Sequence, residues 1–413
     1  MVKTVVVIGA FDTKATEYAF LIDLIQKRGY HVIAVNTGVV GGTDLFRIDI
    51  DADEVARAAD SDIDTLRSAN DRGKAVAVMS DGAAVIAKLL FRREPFDAII
   101  GMGGSAGTNV VTAAMRALPF GISKLCISTV ASGDVSPYVG TSDIVMVPSL
   151  TDIAGINSLS RLILSRAAGA LAGMLETTID KGEKRPTIAV SMFGNTTPCV
   201  DRCRAMLNRN GFEVLVFHAT GAGGRTLEHL VEGGVIQGVL DITTTEWADT
   251  LCGGVFDAGE QRLDAPGRAG VPHLIAPGCI DMCNFGAPDT VPTKYKGRTF
   301  YQWNPNVTLM RTTSDENRKI GDIFARKANA AKGKTAFIIP LKGFSMLDSV
   351  SAEDEQQIFW DPTADRAFVE TLKATLDPSI EVLEVDANIN DPVFAQRAVE
   401  VFMSMMEPAL REN

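Results

Sequence analysis

The chain has 413 residues, a length that calls for two or three domains rather than one hydrophobic core. With 46% hydrophobic and 22% charged residues it has an ordinary globular composition. Its net charge of −11 excludes a broad nucleic-acid-binding or anionic-membrane surface, though not a local pocket for a small anion.

No apolar run approaches the ~20 residues of a membrane span. The start, Met1-Val2-Lys3, runs directly into Val5–Gly9, which reads as a first strand rather than a signal peptide. Six scattered cysteines (126, 199, 203, 252, 279, 283) fit reduced thiols and a cytoplasmic protein. The Cys199/Cys203 and Cys279/Cys283 spacings do not match zinc knuckles, so buried thiols are the expectation.

In chain order, the first half alternates apolar runs with helical patterns: strand Val5–Gly9, helix Ala15–Gly29, strand His31–Asn36, and helical stretches Asp53–Ala59, Ile63–Arg72 and Ala75–Leu90. Strand Ala98–Ile100, helix Asn109–Ala117, strands Leu125–Thr129 and Ile144–Pro148 and helix Asn157–Thr178 follow. The polar stretch Ile179–Arg185 reads as a linker, giving domains 1–180 and 186–410. The grammar then restarts: strand Thr187–Ser191, helix Pro198–Asn210, strand Val214–Phe217, helix Thr226–Glu232 and strand Gly238–Asp241. Residues 255–315 read as irregular. Strand Thr335–Pro340, helix Asp365–Leu376, strand Ile380–Val385 and helix Pro392–Met406 close the chain. The pattern predicts an α/β protein of two open, mostly parallel, Rossmann-like domains with a crevice between them.

Gly101-Met102-Gly103-Gly104-Ser105-Ala106-Gly107-Thr108 is the most informative stretch. A strand, a glycine-rich turn and a helix build an anion site, because glycines admit a ligand to the backbone and a helix start offers unpaired N–H groups. The spacing is neither a Walker loop nor a dinucleotide fingerprint, and a tight packing turn is the competing reading. Neighbouring strand ends add Asp12, Thr13 and Lys14, with Asp12 or Thr13 as helix cap, then Thr37 and Thr129–Asp134. Together they outline a place for a phosphorylated ligand.

The second half offers weaker candidates. Ser191–Thr197 and His218–Gly224 end strands and open helices, so each is a carboxylate or phosphate loop. Asp241 and Glu246 flank three threonines as metal ligands or a proton-transfer pair. Arg311-Thr312-Thr313 with Glu316 is an oxyanion clamp or a helix cap, and His218 and His273 are acid–base types. The catalytic candidates are thus His218, Asp241, Glu246 and Arg311, none tied to a named reaction.

Seven strings carry a resemblance: Val7–Lys14, Gly103–Thr108, Val139–Asp143, Asp152–Ser158, Met192–Pro198, Leu240–Glu246 and Leu309–Thr313. They resemble the ATP-binding amino-terminal region of the tomato mosaic virus resistance protein and its poorly characterised bacterial and fungal relatives. The resemblance implies a two-domain α/β protein, often dimeric, whose first domain takes ATP, with Mg²⁺ expected beside it on Asp12 or Asp134. It implies nucleotide contacts from Asp12, Thr13, Lys14, Gly103, Gly104, Ser105, Ala106, Gly107 and Thr108, and less distinctively from Thr37 and Arg72-Gly73. Relatives are expected to carry histidine where this chain has Trp303. The expected partners are a nucleotide, a small anionic metabolite and a second copy of the chain, without nucleic acid or membrane. Three functions follow: ATP-dependent action on or sensing of a metabolite, a non-catalytic nucleotide-dependent interaction protein, and a nucleotide-sugar or phosphosugar enzyme.

Overall fold

The runs Val5-Val6-Val7-Ile8 and Ala98-Ile99-Ile100 are apolar at every position because each side of the sheet they enter is covered by helices. Val5 and Val7 pack with helices Ala15–Gln26 and Ser158–Glu176, while Val6 and Ile8 pack against helices Arg72–Arg93 and Ser105–Arg116. The computed structural model describes residues 2–178, 185–350 and 355–411. Residues 179–184 of the expected linker lie outside the described residues. The chain separates into two compact units, Met1–Lys181 and Gly182–Asn413.

The N-terminal unit holds strands β1 (Thr4–Gly9), β2 (His31–Asn36), β3 (Ala98–Gly103), β4 (Ser123–Ser128) and β5 (Ile144–Pro148), in the parallel order β2-β1-β3-β4-β5. The C-terminal unit holds β6 (Thr187–Met192), β7 (Glu213–His218), β8 (Gly238–Thr243) and β9 (His273–Gly278). After them come β10 (Met282–Phe285), β11 (Phe300–Asn304), β12 (Val307–Arg311), β13 (Thr335–Pro340) and β14 (Glu381–Val385). Its parallel sheet runs β14-β13-β9-β8-β6-β7, repeating the order of the first unit, and β10-β12-β11 form a separate antiparallel sheet. Both units are therefore α/β, with Rossmann-like parallel sheets.

The irregular reading of residues 255–315 is corrected here, because that span supplies a central strand (β9) and a three-stranded sheet (β10–β12). The two glycine-rich stretches are also shorter as loops than expected. Gly101–Gly103 complete β3, and the next helix begins at Ser105, not Asn109. Gly101 belongs in the strand because any side chain there would strike the Ile8 carbonyl and Val111. Likewise the helix after β7 begins at Ala222 rather than Thr226. Among the described residues no helix is long and apolar enough to cross a membrane.

In each sheet the first and third strands part at their carboxyl ends, and a side-chain hydroxyl fills the gap. The β1–β3 pairing stops at Ile8 and Gly101. Beyond it the buried Tyr18 hydroxyl accepts from Met102 N at 2.8 Å, and the Met102 and Ile8 carbonyls lie 2.7 and 3.0 Å from it as acceptors for its proton. Gly9 is required beside it, since a Cβ would collide with that hydroxyl. Between β6 and β8, Ser191 Oγ accepts from Thr243 N at 2.9 Å. Tyr18→Phe leaves the buried Met102 N–H without its acceptor and is expected to cost about 1–3 kcal/mol, read as a lower denaturant midpoint at unchanged m-value.

Candidate functional site

The strand order reverses between β1 and β3, the place where open α/β sheets collect ligands. There Thr37 N, after β2, bonds the Gly9 carbonyl that ends β1, and the residues after β3 open a helix. The helix Ser105–Arg116 starts with Gly104 at the N-cap in extended backbone (φ −74°, ψ −168°), and no side chain caps it. Thr108 N bonds the Gly104 carbonyl at 2.8 Å, so the first-turn N–H groups of Ser105, Ala106 and Gly107 are the ones left for a ligand. A Cβ on Gly104 would meet only Thr129 Oγ1, at 3.7 Å, so the space before the helix is open. Gly103 is different: its Cβ would press on Gly107 Cα at 2.7 Å, which makes it a packing glycine. Thr108 is fully buried, its hydroxyl 2.6 Å from Ser128 Oγ, and so pins β4 rather than facing the opening.

Asp12 does not cap the helix Ala15–Gln26, whose N-cap is Lys14 without a side-chain bond. Its Oδ2 instead accepts from Val40 N at 2.9 Å, because the carboxyl packs against Gly38 after β2. Its Oδ1 is buried without a partner. Thr13 is exposed and not a cap either. Lys14 Nζ donates to the Ile153 carbonyl at 2.6 Å, and the buried Glu17 accepts from Gly155 N at 2.5 Å. These bonds tie the β1 loop to the segment after β5. Thr37 is buried, its N–H donating to the Gly9 carbonyl at 2.8 Å. Arg72 is exposed in the first turn of the helix Arg72–Arg93, and Asn109 Nδ2 donates to Ser80 of that helix at 3.3 Å. Asp134 accepts from Ser136 N at 2.9 Å in an exposed turn.

The second unit's glycine-rich loop, which follows its edge strand β7, already holds a carboxylate, its own. Glu246 Oε1 accepts from Gly221 N at 2.8 Å and Gly224 N at 3.0 Å, at the start of the helix Ala222–Glu232. Its Oε2 accepts from Arg262 Nε at 2.7 Å. Arg262 is fully buried and also binds Asp241 through both terminal nitrogens and Glu228 through one, while His273 Nε2 lies 3.0 Å from Asp241. Burial opposes ionisation of Asp241, but Arg262 and His273 overcome it and hold the carboxyl below the usual range. Burial pushes Glu246 upward despite Arg262. Asp241 and Glu246 are thereby committed to one guanidinium.

Arg311 is likewise engaged. Its Nη2 donates to Asp365 at 2.7 Å and its Nε to the Phe359 carbonyl at 2.7 Å. Thr313 and Glu316 form a capping box, and Glu316 binds Arg298 at 2.7 Å. His218 is exposed, its ring 5.5 Å from Phe193, and partial burial lowers its pKa. Among the described residues no group of three or more His, Cys, Asp or Glu could hold a metal ion, and all six cysteines are buried and free.

Sequence reasoning missed Arg262, Glu228, Tyr18 and Asp249, and it singled out Asp281 only as a polar residue following Pro277-Gly278-Cys279. Burial pushes Asp249 up to about 8 against hydrogen bonds from Asn284 and Phe256 N. Burial and then Asp348 push Asp281 up to about 7 against Arg311 and Ser345. No spacing rule marks such residues, because the effect arises from strands far apart in sequence.

Two domain descriptions of one family match the chain: "Uncharacterised protein family (UPF0261) N-terminal domain" over residues 3–180 and the C-terminal domain of that family over residues 185–406. A UPF0261 protein of Clostridium tetani is 47% identical over 410 residues, covering 98% of this chain and 100% of that one. The tomato (Solanum lycopersicum) ToMV resistance protein Tm-1(GCR237) is 41% identical over 342 residues, covering 81% of this chain and 45% of that protein. Among solved structures, a putative UDP-N-acetylglucosamine 2-epimerase from Listeria monocytogenes aligns over 99% of this chain and 98% of its own. The identity is 12% and the TM-score 0.25, too low to carry a ligand or an activity across.

Asp249 and Asp281 titrate higher in the fold than in the unfolded chain, so the folded state binds more protons near neutrality. Their contribution is complete below the ordinary carboxylate range and is lost as pH rises through 7 to 8, by up to about 1.4 kcal/mol per pH unit for each group. Unfolding midpoints measured from pH 5 to 9 should fall with pH, and the fall should be shallower in Asp249→Asn. Glu246→Ala leaves Arg262 and two buried N–H groups short of a carboxylate and should cost about 3–5 kcal/mol. Acetate should restore melting temperature in that variant far more than in the parent protein.

Proposed function

The chain belongs to the UPF0261 family, and within it we propose that the N-terminal unit binds a phosphorylated nucleotide, ATP foremost, where β1 and β3 part. One observation carries the reading: the helix Ser105–Arg116 begins uncapped at this point, with open space before Gly104. Such a start supplies several N–H donors and the positive end of a helix dipole to an anion. The resistance protein resemblance favours ATP among phosphorylated ligands. Asp12 fits a place beside the phosphates, because its Oδ1 is a buried acceptor awaiting a donor or a cation. Mg²⁺ held there would neutralise phosphate charge, and Lys14 stands two residues along the same loop.

The second unit supports sensing or interaction more than turnover. Asp241, Glu246 and Arg311 each have their charge matched inside the unit, leaving the exposed His218, against the Phe193 ring, as the remaining catalytic candidate. A nucleotide read out through a conformational preference needs differential binding rather than a reacting group. Enzymatic action on a small anionic metabolite is the alternative, and release of ADP or phosphate on incubation with ATP separates the two.

Gly104→Val tests the site directly. The added side chain has room in the fold but occupies the space before the helix. ATP affinity measured by calorimetry should fall at least tenfold, about 1.4 kcal/mol, while the melting temperature without ligand stays unchanged. Unchanged affinity would make the loop a packing turn and end the proposal.

A further inference from the structure

The antiparallel sheet of the second unit carries a groove of about 490 Å³ that none of the preceding residues uses. Its lining is mainly apolar, from Pro288, Val291, Pro292 and Phe300, with Lys296 and Thr308 among its polar members. The volume falls within the range of small-molecule sites.

The wall is built and anchored before any ligand arrives. Thr308 Oγ1 donates to the Gly286 carbonyl at 2.9 Å, pinning the start of the wall to β12. Two short 3₁₀ turns, Pro288–Thr290 and Thr293–Tyr295, follow prolines or begin with one, which fixes their backbone. Tyr295 is buried, its hydroxyl donating to the Cys252 carbonyl at 2.7 Å and its ring 5.6 Å from Phe285. A wall held this way loses little entropy when a ligand enters.

Charge selects the ligand. In a chain of net charge −11, residues 286–300 carry Lys294, Lys296 and Arg298 against one acid, the exposed Asp289. Lys294 lies over the Tyr295 ring at 4.8 Å, and Arg298 is paired with Glu316 at 2.7 Å. Lys296 is exposed and has no ion pair among the described residues, and no carboxylate lines the groove. We propose that this groove binds a small amphiphilic carboxylate, its apolar body against Val291, Pro292 and Phe300 and its carboxylate on Lys296. The apolar wall supplies affinity and the ammonium fixes orientation. This site is separate from the nucleotide site and does not depend on it.

Sodium octanoate, held below its micellar concentration, is the probe, titrated into the full chain by calorimetry. Saturable binding with one site per chain is expected. Lys296→Glu, a surface change that leaves the fold intact, should weaken octanoate at least tenfold while the neutral 1-octanol changes less than twofold. Val291→Trp, checked for folding by circular dichroism, should block both ligands, and Gly104→Val should block neither. Non-saturable uptake of octanoate, or affinity indifferent to Lys296→Glu, overturns the proposal. So does a dimer that Val291→Trp dissociates in sedimentation, since the groove would then be covered by a second copy.

Discussion

The parting of the first and third strands at their carboxyl ends is the constraint on which the rest of this architecture depends. Parallel strands stay paired only while each N–H and carbonyl finds its neighbour, so a split exposes groups that must be satisfied some other way. In the N-terminal unit the Tyr18 hydroxyl takes that role, accepting from Met102 N next to the Ile8 and Met102 carbonyls. Tyr18 comes from the helix that follows β1, so the residues that close the gap also fix the β1 loop above it. Gly9 must lack a side chain for the ring to fit, and Gly101 must lack one for β3 to approach β1. The loop glycines thus divide into those that seat the wedge and Gly104, which leaves room above it.

The two units solve the same topology with opposite electrostatic outcomes. In the second unit the helix start after β7 is filled by Glu246, and Arg262 gathers that carboxylate with Asp241 of β8 and Glu228. Removing one partner from such a buried set strands the others, so the set is locked as a whole. Burial pushes the Asp249 and Asp281 carboxyls of the same unit upward, Asp281 against the pull of Arg311. In the first unit no side chain caps the helix start after β3, and Asp12 of the β1 loop turns to Val40 and keeps one oxygen unpartnered. An internal ligand in one unit and an open donor set in the other is the asymmetry behind assigning anion binding to the first.

Much of the fold was legible because buried parallel strands write themselves as short, continuous apolar runs. Val5–Ile8, His31–Val35 and Thr335–Ile339 are of that kind, and alternation with helices gave the class. The span 255–315 was not legible: β9 begins with His273 and ends in Pro277-Gly278, and β11 is exposed from Tyr301 through Asn304. Local signals there favour turns, and burial between β8 and β13 overrides them. The glycine loops were located correctly and their edges misplaced, because glycine reads as loop whether it sits in a strand, as Gly101 does, or in a helix, as Gly223 and Gly224 do. Arg262 was invisible for a different reason. A buried arginine has the same letter as a surface one, and its partners lie on β8 and on two helices.

Sequence patterns therefore reported positions, and the fold decided which of those positions remain available. His218–Arg225 and Gly101–Thr108 look alike as strings, both rich in glycine after an apolar run. What separates them is a carboxylate that reaches one of them from Glu246, 22 residues beyond Gly224. With that carboxylate in place, the donors at Gly221 and Gly224 are spent and the loop is a structural joint. At Ser105–Gly107, where no side chain caps the helix, the first-turn N–H groups remain for water or an incoming anion. Availability at a helix start is set by what the rest of the chain has already placed there, and in this protein that criterion points to the first unit.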